Sequence, residues 1–163
     1  DRAIFQAKVD RSGETFTTYG TYTYRFQQNK QREIEIKWHN VAFGGSYVFN
    51  PTLNAFAEFA ADYFNVKGDT EVGPQLDHYF PNSRSLAVGF NWTKDASLDA
   101  STSLILSESG DVRSTQLTFS LRKRFSDDHD LELILAPWVN EDRLYNLTDY
   151  RATFLVARYT VRF

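Results

Sequence analysis

Leu155-Val-Ala-Arg-Tyr-Thr-Val-Arg-Phe163 alternates without a break. Leu155, Ala157, Tyr159, Val161 and Phe163 fall on one side of an extended chain, and Arg158, Thr160 and Arg162 on the other. Successive side chains of a strand point to opposite faces, so this stretch predicts a β-strand with one apolar and one polar face.

Working back from it, the same period of two recurs to the N-terminus. Leu131, Leu133, Leu135 and Val139 form one apolar face. Leu117, Phe119, Leu121 and Phe125 alternate with Gln116, Thr118, Ser120, Arg122 and Arg124. Leu98, Ala100, Thr102, Leu104 and Leu106 form another face, and Leu86, Val88, Phe90 and Trp92 a further one. Ala55, Ala57, Phe59, Ala61 and Tyr63 alternate with Glu58 and Asp62. Val41, Phe43, Gly45, Tyr47 and Phe49 come next, then Phe16 to Phe26, then Ala3, Phe5, Ala7 and Val9 with Gln6 and Lys8 between them. One stretch is out of phase: Ile34, Ile36 and Trp38 alternate in the opposite register to Val41 and Phe43. A β-bulge at His39-Asn40 would produce that change, with Ile34–Trp38 rising above a membrane.

The connectors alternate as well. Arg11–Glu14, Asn50–Asn54, Thr93–Ser97 and Ser126–Asp130 read as tight turns, rich in Gly, Asn, Asp and Pro. Between them, Gln27–Arg32, Lys67–Ser83, Ser109–Arg113 and Asn140–Thr148 read as mostly longer, more polar connectors. Short turns on one side and longer loops on the other are the habit of outer-membrane barrels.

Composition agrees. Mean hydropathy is −0.47, yet 16 % of residues are aromatic, with 14 Phe and 9 Tyr. A barrel whose strands face lipid on one side and a polar lumen on the other combines those features. No stretch approaches the roughly 18 apolar residues of a membrane helix. The net charge of −3 with no basic cluster argues against nucleic acid as a partner. The chain has no Cys, so a disulfide scaffold and a thiolate metal site are excluded. It starts at Asp1, and reads as a processed chain or an excised segment.

The predicted fold is therefore all-β: a transmembrane antiparallel up-and-down β-barrel spanning residues 1–163 as one domain. Nine candidate strands are legible, whereas bacterial single-chain barrels have even numbers. Two readings stay open. Either one strand is split in two and eight strands close, or the chain is the C-terminal part of a larger barrel. A soluble sandwich also alternates. It is disfavoured by Phe, Tyr and Ala faces set against Arg, Lys, Glu and Thr, and by the near absence of Pro within strands, Pro137 excepted.

The final strand resembles the C-terminal signal of outer-membrane proteins that the barrel assembly machinery reads: a terminal aromatic preceded by alternating apolar residues. Tyr159, Val161 and Phe163 carry the match, with Ala157 and Leu155 before them. The resemblance implies a bacterial outer membrane, membrane lipid and that machinery as partners, and residue 163 as the true C-terminus. It also places the end of the last strand in the periplasm. Asn40-Val-Ala-Phe-Gly-Gly-Ser-Tyr-Val-Phe-Asn-Pro-Thr-Leu53 more loosely resembles parts of the barrels that sheathe multihaem cytochromes. Haem would then sit on a partner, since the chain has no Cys-x-x-Cys-His.

The expected function is an outer-membrane channel, or a wall of one, with no enzymatic activity and no cofactor. Lys8, Arg25, Glu58, Asp62, Arg122, Arg124, Glu132, Arg158 and Arg162 should line a basic-leaning lumen that favours anions. The alternatives are a small closed barrel that binds or supports through its outer loops, and a sheath for a partner protein or other barrel segments. Loop Lys67–Ser83, with Asp69, Glu71, Asp77, Tyr79 and Phe80, is a candidate contact, as is Asn140–Thr148 and its flank, with Glu141, Asp142, Tyr145 and Asp149. His39, His78 and His129 lie in different elements and read as solvated. No spacing resembles a nucleophile motif. Asp127-Asp128-His129-Asp130 reads as a solvated turn rather than a cation site.

Overall fold

The computed structural model describes residues 2–30, 33–68, 81–143 and 149–162. Phe163 and His78 lie outside them, as do most of the Lys67–Ser83 loop and residues 144–148. All nine legible strands form: β1 (Arg2–Ser12), β2 (Phe16–Asn29), β3 (Ile34–Asn50), β4 (Leu53–Lys67), β5 (Ser83–Asp95), β6 (Leu98–Ser109), β7 (Val112–Arg124), β8 (His129–Asp142) and β9 (Tyr150–Val161). They make one antiparallel sheet in sequence order. No strand was over-split, so the eight-strand reading does not describe these residues.

Only strands adjacent in sequence approach one another. The sheet is thus a single layer, and among the described residues β1 and β9 do not pair. A β-sandwich would need a second sheet against the first, and none is present among the described residues.

A single layer has no interior. The buried apolar side chains are Ala61, 1 % exposed, and Ala136, 8 %. The accessible surface is 11607 Å², whereas a compact monomer of 18.9 kDa would show about 8,300 Å². Hydrophobic burial, the main driving force of folding in water, is missing from both faces.

β3 corrects one sequence expectation. It pairs without interruption through His39 and Asn40 on both sides, Tyr24↔His39↔Tyr63 and Thr23↔Asn40↔Asp62. No bulge lies there; the register shift falls between Val48 and Asn50, beside the turn. The phase change is a real inversion of polarity along a regular strand. A second correction concerns Ser109–Arg113, expected among the mostly longer connectors. It holds a two-residue turn, Gly110-Asp111, with Gly110 at φ 57°, a backbone that glycine adopts without steric cost. The four predicted tight turns form as expected and define a short-turn end of the sheet; the opposite end is called the loop end below. At the short-turn end Asp95 accepts the backbone N–H and hydroxyl of Ser97 at 2.7 and 2.6 Å. These bonds hold its carboxyl below the usual carboxylate range.

Pro137 lacks the N–H a ladder needs. The β7–β8 ladder is accordingly interrupted opposite Ala136 and Pro137, and resumes at Gln116↔Trp138.

Candidate functional site

Direct cross-strand partners share a face, so the register sorts every strand residue. Lys8, Arg25, Glu58, Asp62, Arg122, Arg124, Glu132 and Arg158 all fall on one face, the polar face. Arg162, just past β9, bonds to Asp130 of that same face. All nine expected lumen residues are therefore on one side of the sheet, eight of them in two groups and Lys8 apart.

The first group spans β2 to β5 around Asp62. Its Oδ1 accepts Trp38 Nε1 and Asn40 Nδ2, both at 2.9 Å, and its Oδ2 accepts the Ser83 hydroxyl at 3.0 Å. The Arg25 guanidinium lies 4.8 Å from the Trp38 ring centroid, and Trp38 stacks on Phe64 at 6.2 Å. Tyr19 donates to Glu58. The Phe56 ring lies over Gly89, where a Cβ would meet the ring at 2.6 Å; only glycine lets the ring settle there.

The second group lies near the short-turn end of β7 to β9. Asp130, 3 % exposed, accepts Arg122 at 2.9 Å and Arg162 at 2.8 Å on the same oxygen. Glu132 accepts Arg158 at 3.2 Å. Two cations on one carboxylate offset the desolvation of that buried charge. Lys8 stands apart, paired with Asp10 at 3.1 Å.

The expected residues lean basic, but among the described residues the face as a whole does not. Asp10, Asp99, Asp130 and Asp142 share it, so Arg2, Lys8, Arg25, Arg122, Arg124, Arg158 and Arg162 meet an equal number of carboxylates. Sequence reasoning also missed the aromatic residues here: Tyr19, Trp38, Phe56, Phe64, Trp138, Tyr150 and Phe154. The parity of each strand was the signal that would have found them. Between the two groups, β5 to β7 present Ser85, Ala87, Ser101, Ser103, Ser107, Ser114, Thr118 and Ser120 around Ile105 and Gln116, a neutral surface of mostly small side chains.

The opposite face is an apolar belt with charged margins. On β5 its outermost charges are Arg84 and Lys94, and on β7 Arg113 and Lys123, ten residues apart in both cases. At about 3.4 Å per residue that is about 34 Å along the strand. Leu86, Val88, Phe90 and Trp92 fill the first interval, and Thr115, Leu117, Phe119 and Leu121 the second. Toward the loop end the margin continues through Glu35, Lys37, Lys67, Glu108, Glu141 and Arg151. Aromatic residues mark the short-turn margin: Phe16, Tyr47, Phe49, Trp92 and Tyr159, with Tyr47 and Phe49 edge to face at 5.0 Å.

His39 and His129 are on the apolar face, each 2.8 Å from a tyrosine hydroxyl, Tyr22 and Tyr159 respectively. Among the described residues no cluster of His and acids could hold a metal ion, and Asp130 is engaged by arginines.

No family model, curated protein or solved structure matches this chain.

Proposed function

We propose that the chain is a membrane-embedded β-wall of a bacterial outer-membrane channel, with its polar face toward the lumen. One observation carries the reading: the large apolar side chains of this coreless sheet concentrate on one face, in a belt bounded by charges ten residues apart. At the roughly 40° tilt of barrel strands that interval is about 26 Å high, which fits the apolar band of roughly 25 Å on outer-membrane barrels. In water such a face would be a severe aggregation liability; against lipid it is the expected surface.

The edges describe the rest of the wall. With every neighbour antiparallel, β1 and β9 run in the same direction. A closed antiparallel barrel therefore needs an odd number of further strands between them. Val9, 71 % exposed, and Leu155, 77 %, sit on those two edge strands where such neighbours would cover them. In this reading the short-turn end is periplasmic, and Tyr159 and Val161 of the assembly signal stand there. The wall performs no chemistry of its own.

The charges on the described part of the polar face balance, so the pore is weakly selective rather than anion-selective. Reconstitution of the chain together with the strands that close its barrel, in planar bilayers with a salt gradient, tests this. Stable conductance with a reversal potential close to zero is expected. A protein that inserts and never conducts would remove the channel reading. It would favour the sheath, for which the Ser-rich surface of β5 to β7 is the supporting feature, since small side chains let a partner inside the lumen approach closely.

A further inference from the structure

On the polar face near the loop end, Arg25 stands between Ile4 of β1 and Trp38 of β3. Neither neighbour is a carboxylate, and among the described residues no carboxylate pairs with its guanidinium. The group lies over the Trp38 ring, 4.8 Å from the centroid, and its Nε is buried without a hydrogen-bond partner. Asp62, one strand further on, has both oxygens bonded to Trp38, Asn40 and Ser83. These bonds hold the indole in place and turn the carboxylate away from Arg25. Beside the guanidinium lies a groove of about 180 Å³, lined by Arg25, Gln27, Ile36, Trp38 and Phe64. The described charges around it are Arg2 and Arg25 against Asp62 on this face, Lys37 and Lys67 against Glu35 on the other, and Lys30 against Glu33 at the turn. Cations lead on both faces, and the one cation that lines the groove is unpaired.

We propose that this groove binds a small aromatic carboxylate, its ring over Ile36 against Trp38 and Phe64 and its carboxylate on the Arg25 guanidinium. The proposal rests on the channel reading above for its purpose, the capture of a solute at the outer mouth of the lumen; the binding itself needs only the folded sheet. Size and chemistry select the occupant. The volume is well under the roughly 300 Å³ at which pockets for drug-sized ligands begin, so it suits one ring and a short polar group. A guanidinium offers a carboxylate two parallel N–H bonds, and the Gln27 amide stands two residues along the same face as a further donor. Aromatic rings in contact gain beyond the area they bury. The walls are already fixed by the Asp62 bonds and the Arg25 stack, which lowers the ordering cost of binding. An inorganic anion would leave the walls unfilled, and a neutral ring would leave the guanidinium unmatched.

The test uses the full chain folded into phosphatidylcholine vesicles. Trp92→Phe and Trp138→Phe leave Trp38 as the single indole, and its fluorescence is titrated with benzoate, benzamide and acetate at neutral pH. Benzoate should bind about tenfold tighter than benzamide, which has the ring without the charge, and about tenfold tighter than acetate, which has the charge without the ring. Those are the sizes expected of a charge-assisted hydrogen bond and of an aromatic contact. Arg25→Gln should bring benzoate down to the level of benzamide. Ile36→Phe fills the groove while leaving Arg25 and Trp38 in place, and should weaken benzoate at least tenfold. Circular dichroism checks that each variant keeps its strands, and the comparison of the three ligands on the native groove decides the matter even where a variant does not fold. Equal affinity for benzoate and benzamide, acetate bound as tightly as benzoate, an unchanged preference in folded Arg25→Gln, or full affinity in folded Ile36→Phe would each overturn the proposal. A wall that binds benzoate yet never conducts with its closing strands would strike the channel reading and leave the site standing.

Discussion

The two halves of β3 are one strand in one sheet with opposite polarity. From His39 to Tyr47 the apolar face receives Val41, Phe43 and Tyr47, and the polar face Asn40, Ala42, Gly44 and Ser46. From Ile34 to Trp38 the assignment reverses: Glu35 and Lys37 stand on the apolar side, Ile36 and Trp38 on the polar side. The backbone does not change between them. The surroundings do. In the proposed membrane, the first half meets lipid outside and water inside. The second half stands above the bilayer, where the outer side is wet and Trp38 is covered by Arg25, Phe64 and Asp62.

That contrast makes position along a strand matter more than side of the sheet. The largest effect should come from a charge inside the belt. Leu104→Arg, midway along β6, should destabilise the folded state in vesicles by about 2–4 kcal/mol, measured by denaturant titration. Lys37→Gln, beyond the margin, removes only an exposed ion pair and should leave stability nearly unchanged. Equal costs at the two positions would erase the boundary between the halves.

A smaller effect tests the covered half. Asp62→Ala leaves the Trp38 indole N–H, the Asn40 amide and the Ser83 hydroxyl without their acceptor. Stranded polar groups cost about 1–3 kcal/mol, so this variant should unfold earlier in the same titration. Indole fluorescence should report a looser Trp38. A variant as stable as the native chain would mean that water replaces Asp62 at no cost.

The smallest effect lies in the turn at Asp95. Its carboxyl is held below the usual 3.8 by Ser97. A depressed folded value contributes stability above the unfolded value and loses it as pH falls through the folded one. Acid unfolding of the native chain should therefore show a small component below about pH 4. Asp95→Asn should lack that component, as read from stability across a pH series.

Most of the fold was legible because one physical rule, period two, governs almost every residue. Strand number, the tight turns and the side of all nine expected lumen residues followed from it. The inversion at Ile34–Trp38 was misread as a bulge. A change of phase in sequence has two causes, an inserted residue or a change of surroundings, and only register distinguishes them. The balance of charge on the polar face was missed for a related reason. Asp10, Asp99, Asp130 and Asp142 sit at strand ends, where sequence alone does not say whether a residue belongs to the turn or to a face. The convergence of Arg122 and Arg162 on Asp130 joins β7, β8 and the segment just past β9, and no local pattern announces it.

The lipid contact of the apolar face is tested most directly on β7. The chain has no cysteine, so single cysteines can be placed one at a time from Arg113 to Lys123 in the vesicle-inserted protein. Positions 115, 117, 119 and 121 should be quenched from the lipid phase and shielded from water-soluble thiol reagents. Positions 114, 116, 118 and 120 should react with those reagents. Equal reaction with water-soluble reagents on both sets would contradict a membrane-embedded wall.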